Sequence, residues 1–354
     1  AKSSSLSLRS SHRAGGSGSD RGPLVVLTGA SGFLGRPLAR QLAARGFRVR
    51  GVGRGANPSE PSIHEWVRED LSRGVRPETF AGAHAVVHAA AATSGGFAVH
   101  QRHSIDAAQN VVDSMAAAGV TRLVHISSLS VVEPPTSLRD VQDEKTARAD
   151  DPRDLGPYTW GKSRSEQVVE DRCAAAEIAV RIIRPGALTD RLAPELPGLV
   201  GRRLFGPWHL CLGRPSLPIA VCDVELAAAA ITWCVEHFDS APHVVNLIDP
   251  DVDTRASLIA RMREDGWRGR GLWVPISFLA CAMTCARWAI GTIRGQRADR
   301  MAVWQILRPR RFDTSLSAQL IDQTRKSESM PPRLARENAA PEPADFAASG
   351  DTAA

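Results

Sequence analysis

This chain of 354 residues is poor in lysine and in tyrosine. Of its 44 basic residues only four are lysines (Lys2, Lys145, Lys162 and Lys326), and Tyr158 is the single tyrosine. Aromatic residues make up 5% of the chain. They do not alternate with basic residues as in single-strand-binding surfaces, so the net charge of +6 is not read as a nucleic-acid groove. A small anionic molecule is the more economical partner. The six cysteines include no CxxC pair and no Cys/His set with zinc spacing, which leaves no metal site to expect. Scattered cysteines point to a reducing, cytoplasmic setting. Cys281 and Cys285, four apart in an apolar run, are expected in the core.

The first 23 residues are rich in Ser, Gly and Arg and lack the apolar centre of a signal peptide. Residues 1–22 therefore read as a disordered tail, and the Pro-, Ala- and Glu-rich residues 327–354 as a second. Long apolar runs are also scarce. The one that needs a membrane check is 272–293, where Arg287 is the only charge. Its length is borderline for a span. A buried or surface-docked helix pair is the expectation, with peripheral membrane contact through 272–293 as the alternative.

What is present is an ordered alternation of strands and helices. Leu24–Thr28, Phe47–Val52, Ala85–His88 and Leu123–Ser127 read as short buried strands. Helical stretches run over 33–45, about 99–118 and 157–176. Buried strands alternating with helices predict an α/β fold, a Rossmann-type doubly wound parallel sheet with a smaller C-terminal lobe. The nucleotide-binding domain is expected over 23–186 with returning segments near 219–250. The substrate-binding lobe is expected over 187–218 and 251–323, with Pro- and Gly-rich loops reaching Pro218.

After the first strand comes Thr28-Gly-Ala-Ser-Gly-Phe-Leu-Gly35. Gly29, Gly32 and Gly35 are spaced GxxGxxG between a strand and a helix, which is the setting in which bare backbone N–H groups meet a pyrophosphate. From Arg36 to Ser59 no acidic residue occurs, where sites for NAD usually place one to hold the ribose 2′-hydroxyl. Arg50 and Arg54 stand there instead and suit a 2′-phosphate. NADP(H) is therefore preferred, and NAD(H) is admitted. Asp70 either accepts from the adenine amino group or caps a turn. Tyr158 and Lys162 are one helical turn apart, so they share a helix face and can act as a proton donor beside a cation.

The ordered motifs resemble the extended short-chain dehydrogenase/reductase superfamily, also called the NAD-dependent epimerase/dehydratase family. They are TGASGFLG (28–35), Asp70-Leu71, HAAAA (88–92), AGVTRLVHISSLSVVE (118–133), YTWGK (158–162), IIRPG (182–186), VCDVELAAAA (221–230) and RFDTSLSAQLI (311–321). The resemblance implies that Ser128 is the catalytic serine, with Ser127 its neighbouring alternative, acting with Tyr158 and Lys162. It also implies cofactor contacts by Gly29, Ser31, Gly32, Phe33, Leu34, Gly35, Arg54, Asp70, Leu71, His88, Ala89, Ala90, Tyr158, Lys162 and Pro185, and a homodimer as a common state.

The chain departs from the pattern in three places. Leu129 and Ser130 follow Ser128 where dehydratases carry Asp-Glu. Ala187 stands where sugar-nucleotide epimerases often have asparagine, and Gly161 where many members have serine. The expected function is NADP(H)-dependent interconversion of a secondary alcohol and a ketone, on a lipid-like or polyketide-like molecule. A nucleotide-sugar epimerase and a non-catalytic NADP-binding sensor are the alternatives. The apolar run at 272–293 is similar to that of 3β-hydroxysteroid dehydrogenase-like members.

Overall fold

The structure is a computed structural model that describes residues 22–137, 139–149, 152–278, 281–282, 285–286, 288 and 308–329. In chain order its strands are Leu24–Thr28 (β1), Arg48–Gly53 (β2), Glu65–Arg68 (β3), Ala83–His88 (β4), Arg122–Ile126 (β5), Val141–Gln142 (β6), Ala179–Pro185 (β7), Ala187–Thr189 (β8), Gly201–Phe205 (β9), Trp208–Leu212 (β10), Val221–Asp223 (β11), Val244–Leu247 (β12), Arg270–Val274 (β13) and Arg311–Phe312 (β14). Its main helices are Gly35–Ala44 (α1), Phe97–His100 (α2), Ala107–Ala117 (α3), Pro157–Ala175 (α4), Val224–Glu236 (α5), Arg255–Glu264 (α6) and Ser315–Glu328 (α7).

Seven strands form one sheet in the order β12-β7-β5-β4-β1-β2-β3, with every pair parallel. This is the doubly wound sheet that the alternation predicts. β1 is LVVLT with all five positions buried, as a strand covered on both faces must be. On one face, Leu38 and Leu42 of α1, Ile231 and Val235 of α5, and Leu320 and Ile321 of α7 close one apolar core. On the other, Val111 and Met115 of α3 and Val169 of α4 close a second. Both cores leave the carboxyl ends of the strands at one edge, where a crossover sheet binds its ligands.

Several local expectations change. β3 lies at the sheet edge and has no sequence signal: Glu-Trp-Val-Arg carries too many charges to read as a strand. The helix expected over 99–118 is α2, then a π-helical stretch Gln101–Asp106, then α3. The stretch expected as loops up to Pro218 contains the hairpin of β9 and β10, which turns at Gly206 and Pro207. With β13 it makes a three-stranded sheet. The apolar run 272–293 is not one helix, because Leu272–Val274 ends β13. Residues 276–278 are helical, and much of the remainder lies outside the described residues. Cys281 and Cys285 are exposed instead of buried. Among the described residues no helix is long and apolar enough to cross a membrane. The tail of residues 1–22 lies outside the described residues apart from Gly22, as does the second tail beyond residue 329, while α7 carries the fold through Glu328.

Candidate active site

The loop after β1 folds as its glycines dictate. Gly29 has φ +71°, and a Cβ there would meet the Ala90 backbone at 2.9 Å. A Cβ at Gly35 would lie 2.1 Å from the Gly29 carbonyl oxygen, so α1 can sit against the loop only with glycine there. Gly32 differs. A Cβ there would meet only the Gly29 oxygen, at 3.1 Å. Ser31, Gly32 and Phe33 are exposed, and the first turn of α1 carries no acidic residue. Bare backbone at an uncrowded helix N-terminus fits a diphosphate. Leu34 is buried against the core, and Ala89 and Ala90 follow β4 directly beside the loop.

Arg54 follows β2 at its carboxyl end. It is exposed, forms no ion pair among the described residues, and lends its charge to Asp70. Arg50 does not share this role. Its guanidinium is bound to Glu65 at 2.6 Å and to the Thr79 carbonyl at 3.0 Å, which removes it from the cofactor end. Asp70 caps the short turn Leu71–Arg73, accepting from the Ser72 amide at 3.1 Å and the Ser72 hydroxyl at 2.8 Å. Burial pushes its carboxyl up, but the Ser72 bonds with His103 and Arg54 leave it below the ordinary value. Leu71 is buried beneath.

His88 is fully buried and bonds Thr28 Oγ1 through Nδ1 at 2.8 Å. It stacks on His125 with ring centroids 5.5 Å apart. What it offers the cleft is therefore backbone and not imidazole. Burial pushes both rings down, and the charges of His125 and Lys162 add to this at His88. His125 reaches about 3, with Lys162 contributing, so the pair is neutral near pH 7.

Two adjacent serines end β5 and diverge. Ser127 is buried, its amide bonded to the Ile183 carbonyl at 2.7 Å and its hydroxyl set beside Glu166. Ser128, in extended backbone, caps the turn Leu129–Val131 and takes the Ser130 amide at 3.2 Å. Its hydroxyl reaches the Tyr158 phenol. Tyr158 stands in the first turn of α4, after Gly156 at the N-cap and Pro157. Lys162 follows one turn later, and its Nζ donates to the Ile126 carbonyl at 2.8 Å. The triad of Ser128, Tyr158 and Lys162 is thus drawn together by β5 and α4. Pro185 closes β7 nearby.

Electrostatics here differ from a simple cation-beside-phenol picture. Burial raises the Tyr158 phenol above its ordinary value, and the Ser128 hydrogen bond pulls the other way. The Lys162 ammonium donates to the Ile126 carbonyl. Burial brings Lys162 itself down to about 8, against the pull of Glu166. Glu166 is wholly buried and held by both ends of the Arg184 guanidinium, at 2.5 and 3.2 Å, and by Arg148 at 3.1 Å. Burial pushes its carboxyl up, but Arg184, Ser127 and Arg148 carry it below the ordinary value. The network borders a cavity of about 500 Å³ lined by Arg148, Ser163, Glu170 and Arg184, which none of the triad lines.

Sequence reasoning misses two features of the site. His100 packs edge-on against Tyr158 with ring centroids 6.1 Å apart. It lies so close to α4 that a Cβ at Gly161 would sit 2.8 Å from its Cβ and Nδ1. The glycine that departs from the usual serine is the space His100 fills. No signal in the chain marks this contact, because it depends on how α2 crosses α4. The pair of Glu166 and Arg184 is equally hidden, although Glu166 stands one turn beyond Lys162.

Residues 25–189 match the family model described as the NAD dependent epimerase/dehydratase family. A ceramide reductase of Caulobacter vibrioides is 30% identical over 224 residues, 59% of each chain. A 4-hydroxy-2-methyl-3-oxo-4-farnesyl-3,4-dihydroquinoline-1-oxide ketoreductase of Stigmatella aurantiaca is 30% identical over 198 residues, 51% of this chain and 56% of its own. This chain therefore spans little more than half the length of these two relatives, and the match covers only 12% of an uncharacterised Mycobacterium tuberculosis protein. Among solved structures, MoeE5 in complex with UDP-glucose and NAD superposes with TM-score 0.58 at 20% identity, covering 86% of this chain and 99% of that one. The cradle, the Tyr158–Lys162 pair and every strand of the large sheet except β12 thus fall in the segment, residues 25–189, that is similar to the NAD-dependent epimerase/dehydratase family.

Proposed function

We propose that this chain is an NADP(H)-dependent oxidoreductase that interconverts a secondary alcohol and a ketone. The observation that carries the reading is the convergence of Ser128, Tyr158 and Lys162 at the carboxyl edge of the sheet, beside the Gly29–Gly35 loop. The bound dinucleotide supplies or accepts the hydride. The chain's own groups handle the proton. Ser128 donates a hydrogen bond to the substrate oxygen, and Tyr158 gives or takes the proton at that oxygen. A phenol raised by burial stays protonated at neutral pH, which suits ketone reduction. Lys162 would hold the nicotinamide ribose.

Arg54, exposed and without a carboxylate partner among the described residues, supports the 2′-phosphate reading. Two relatives whose names describe reduction of ceramide and of a farnesyl-bearing ketone favour an apolar carbonyl substrate.

The test is a titration of the purified chain with NADPH and NADH, followed by turnover of long-chain ketones and of UDP-sugars. NADPH should bind more tightly, and Arg54→Ser should narrow the preference by about ten-fold. Tyr158→Phe should lower kcat on a ketone by about 10²- to 10⁴-fold with cofactor binding retained. Unchanged turnover in that variant would remove the catalytic assignment. Turnover of a UDP-sugar without added cofactor would replace the reductase by an epimerase.

A further inference from the structure

The three-stranded sheet of the smaller lobe has one face on the core and one in the open. His209 leans on Trp267 at 5.1 Å between centroids, and Cys211 and Trp273, paired across the strands, pack inward. Cross-strand partners share a face. The register therefore aligns two rows on the opposite side: Phe205, Trp208 and Arg270 in one, Arg202, Leu210 and Leu272 in the next. Phe205 is 70% exposed and Leu272 52%. An open sheet face normally alternates to polar residues. Here every outward position in these rows is apolar or arginine.

Exposed apolar residues also follow β13 along the chain. Phe278 is 68% exposed, and Cys281 and Cys285 follow at helical spacing, also exposed. The charge is of one sign. No Asp or Glu occurs from Leu196 to Cys222 or from Gly266 to Ala298, whereas Arg202, Arg203, Arg214, Arg268 and Arg270 lie within those stretches. The Arg270 guanidinium lies over the Trp208 ring at 5.8 Å. An aromatic ring topped by a cation, on a flat apolar face, matches a bilayer interface: rings sit at the headgroup level and guanidinium groups reach the phosphates.

We propose that this face, made by β9, β10 and the outer side of β13, docks on the surface of an anionic lipid bilayer. The expected membrane contact at 272–293 is thereby moved mostly onto the hairpin, with Leu272 at its margin. The face carries too few hydrogen-bonding groups to orient a small polar ligand. Its arginines, in stretches of chain without an acidic residue, select an acidic surface over a neutral one.

The test is co-sedimentation of the full chain with vesicles of phosphatidylcholine alone and of phosphatidylcholine mixed with phosphatidylglycerol. The expected result is binding to the mixed vesicles, about ten-fold weaker on neutral ones and weakened by salt. The double variant Phe205→Ser/Leu272→Ser should lower partitioning by about ten-fold, and so should Arg202→Gln/Arg270→Gln, with unchanged circular dichroism and thermal unfolding. Three results would overturn the proposal: no binding of the folded chain to anionic vesicles, binding that both double variants leave intact, or a concentration-dependent dimer that the apolar double variant abolishes, since a second copy would then cover the face.

Discussion

Two groups of arginines, one in each lobe, are held in opposite ways. Under α4, Arg184 is almost wholly buried and gives two hydrogen bonds to Glu166, with Arg148 completing the group. On the small sheet, Arg202 and Arg270 have no ion pair among the described residues and lie beside Leu210 and Trp208. The difference has an energetic origin. A buried cation must be matched inside the molecule, because leaving it unmatched costs several kcal/mol. A cation in water carries no such obligation and stays available to something outside.

The largest effect should come from breaking the matched side. Glu166→Gln leaves Arg184 buried beside a neutral group and should cost about 3–5 kcal/mol, read as a lower urea midpoint at unchanged slope. A loss under about 1 kcal/mol would mean that water reaches the pair and that the contrast between the lobes is weaker than drawn.

Acid gives the next largest effect. The folded-state pKa of His125 is depressed to about 3 from an ordinary 6.5, so the unfolded chain binds the proton first. Stability is therefore fully present above pH 6.5 and declines as the pH falls toward 3. At pH 5 this histidine alone should remove about 2 kcal/mol, with His88 adding in the same direction. His125→Phe should flatten that part of the profile, and an unaltered profile would show that the ring is not held neutral.

Gly161→Ser should follow, at about 1–3 kcal/mol, because its Cβ meets His100. The same serine in a His100→Gly background, which removes the Cβ as well as the ring, should cost much less, which a double-mutant cycle of thermal unfolding measures. The smallest effect belongs to the open sheet. Arg270→Gln should change stability by less than about 0.5 kcal/mol. A larger loss would mean that the guanidinium is structural and that the two lobes are alike after all.

These regions also differ in how far the chain announces them. The loop from Gly29 to Gly35 and the pair of Tyr158 and Lys162 are local, set by spacing along one turn or one helix, and both are legible. The parallel sheet is legible because LVVLT is apolar at nearly every position and β4, β5 and β7 each carry a short apolar run. β3 is not, since an edge strand with one charged residue at each end has no buried pattern to show. The hairpin of β9 and β10 is hidden by Gly206 and Pro207, which read as loop punctuation although they make the turn between two strands. Arg50 looks as eligible as Arg54 until its distance from Glu65 is known. Partners brought together by the crossing of α2 over α4, or of β7 beneath it, have no periodicity that could reveal them.

The close approach of α2 to α4 carries a historical consequence. Serine at position 161 and the side chain at position 100 crowd each other at 2.8 Å, so an ancestor bearing that serine is expected to have trimmed the helix to glycine before acquiring the present imidazole. Reversal must run in the opposite order, with the ring lost before the hydroxyl returns. Homologues should therefore show the two sites changing in concert, and a lineage caught with both bulky residues should reveal a shifted backbone between them.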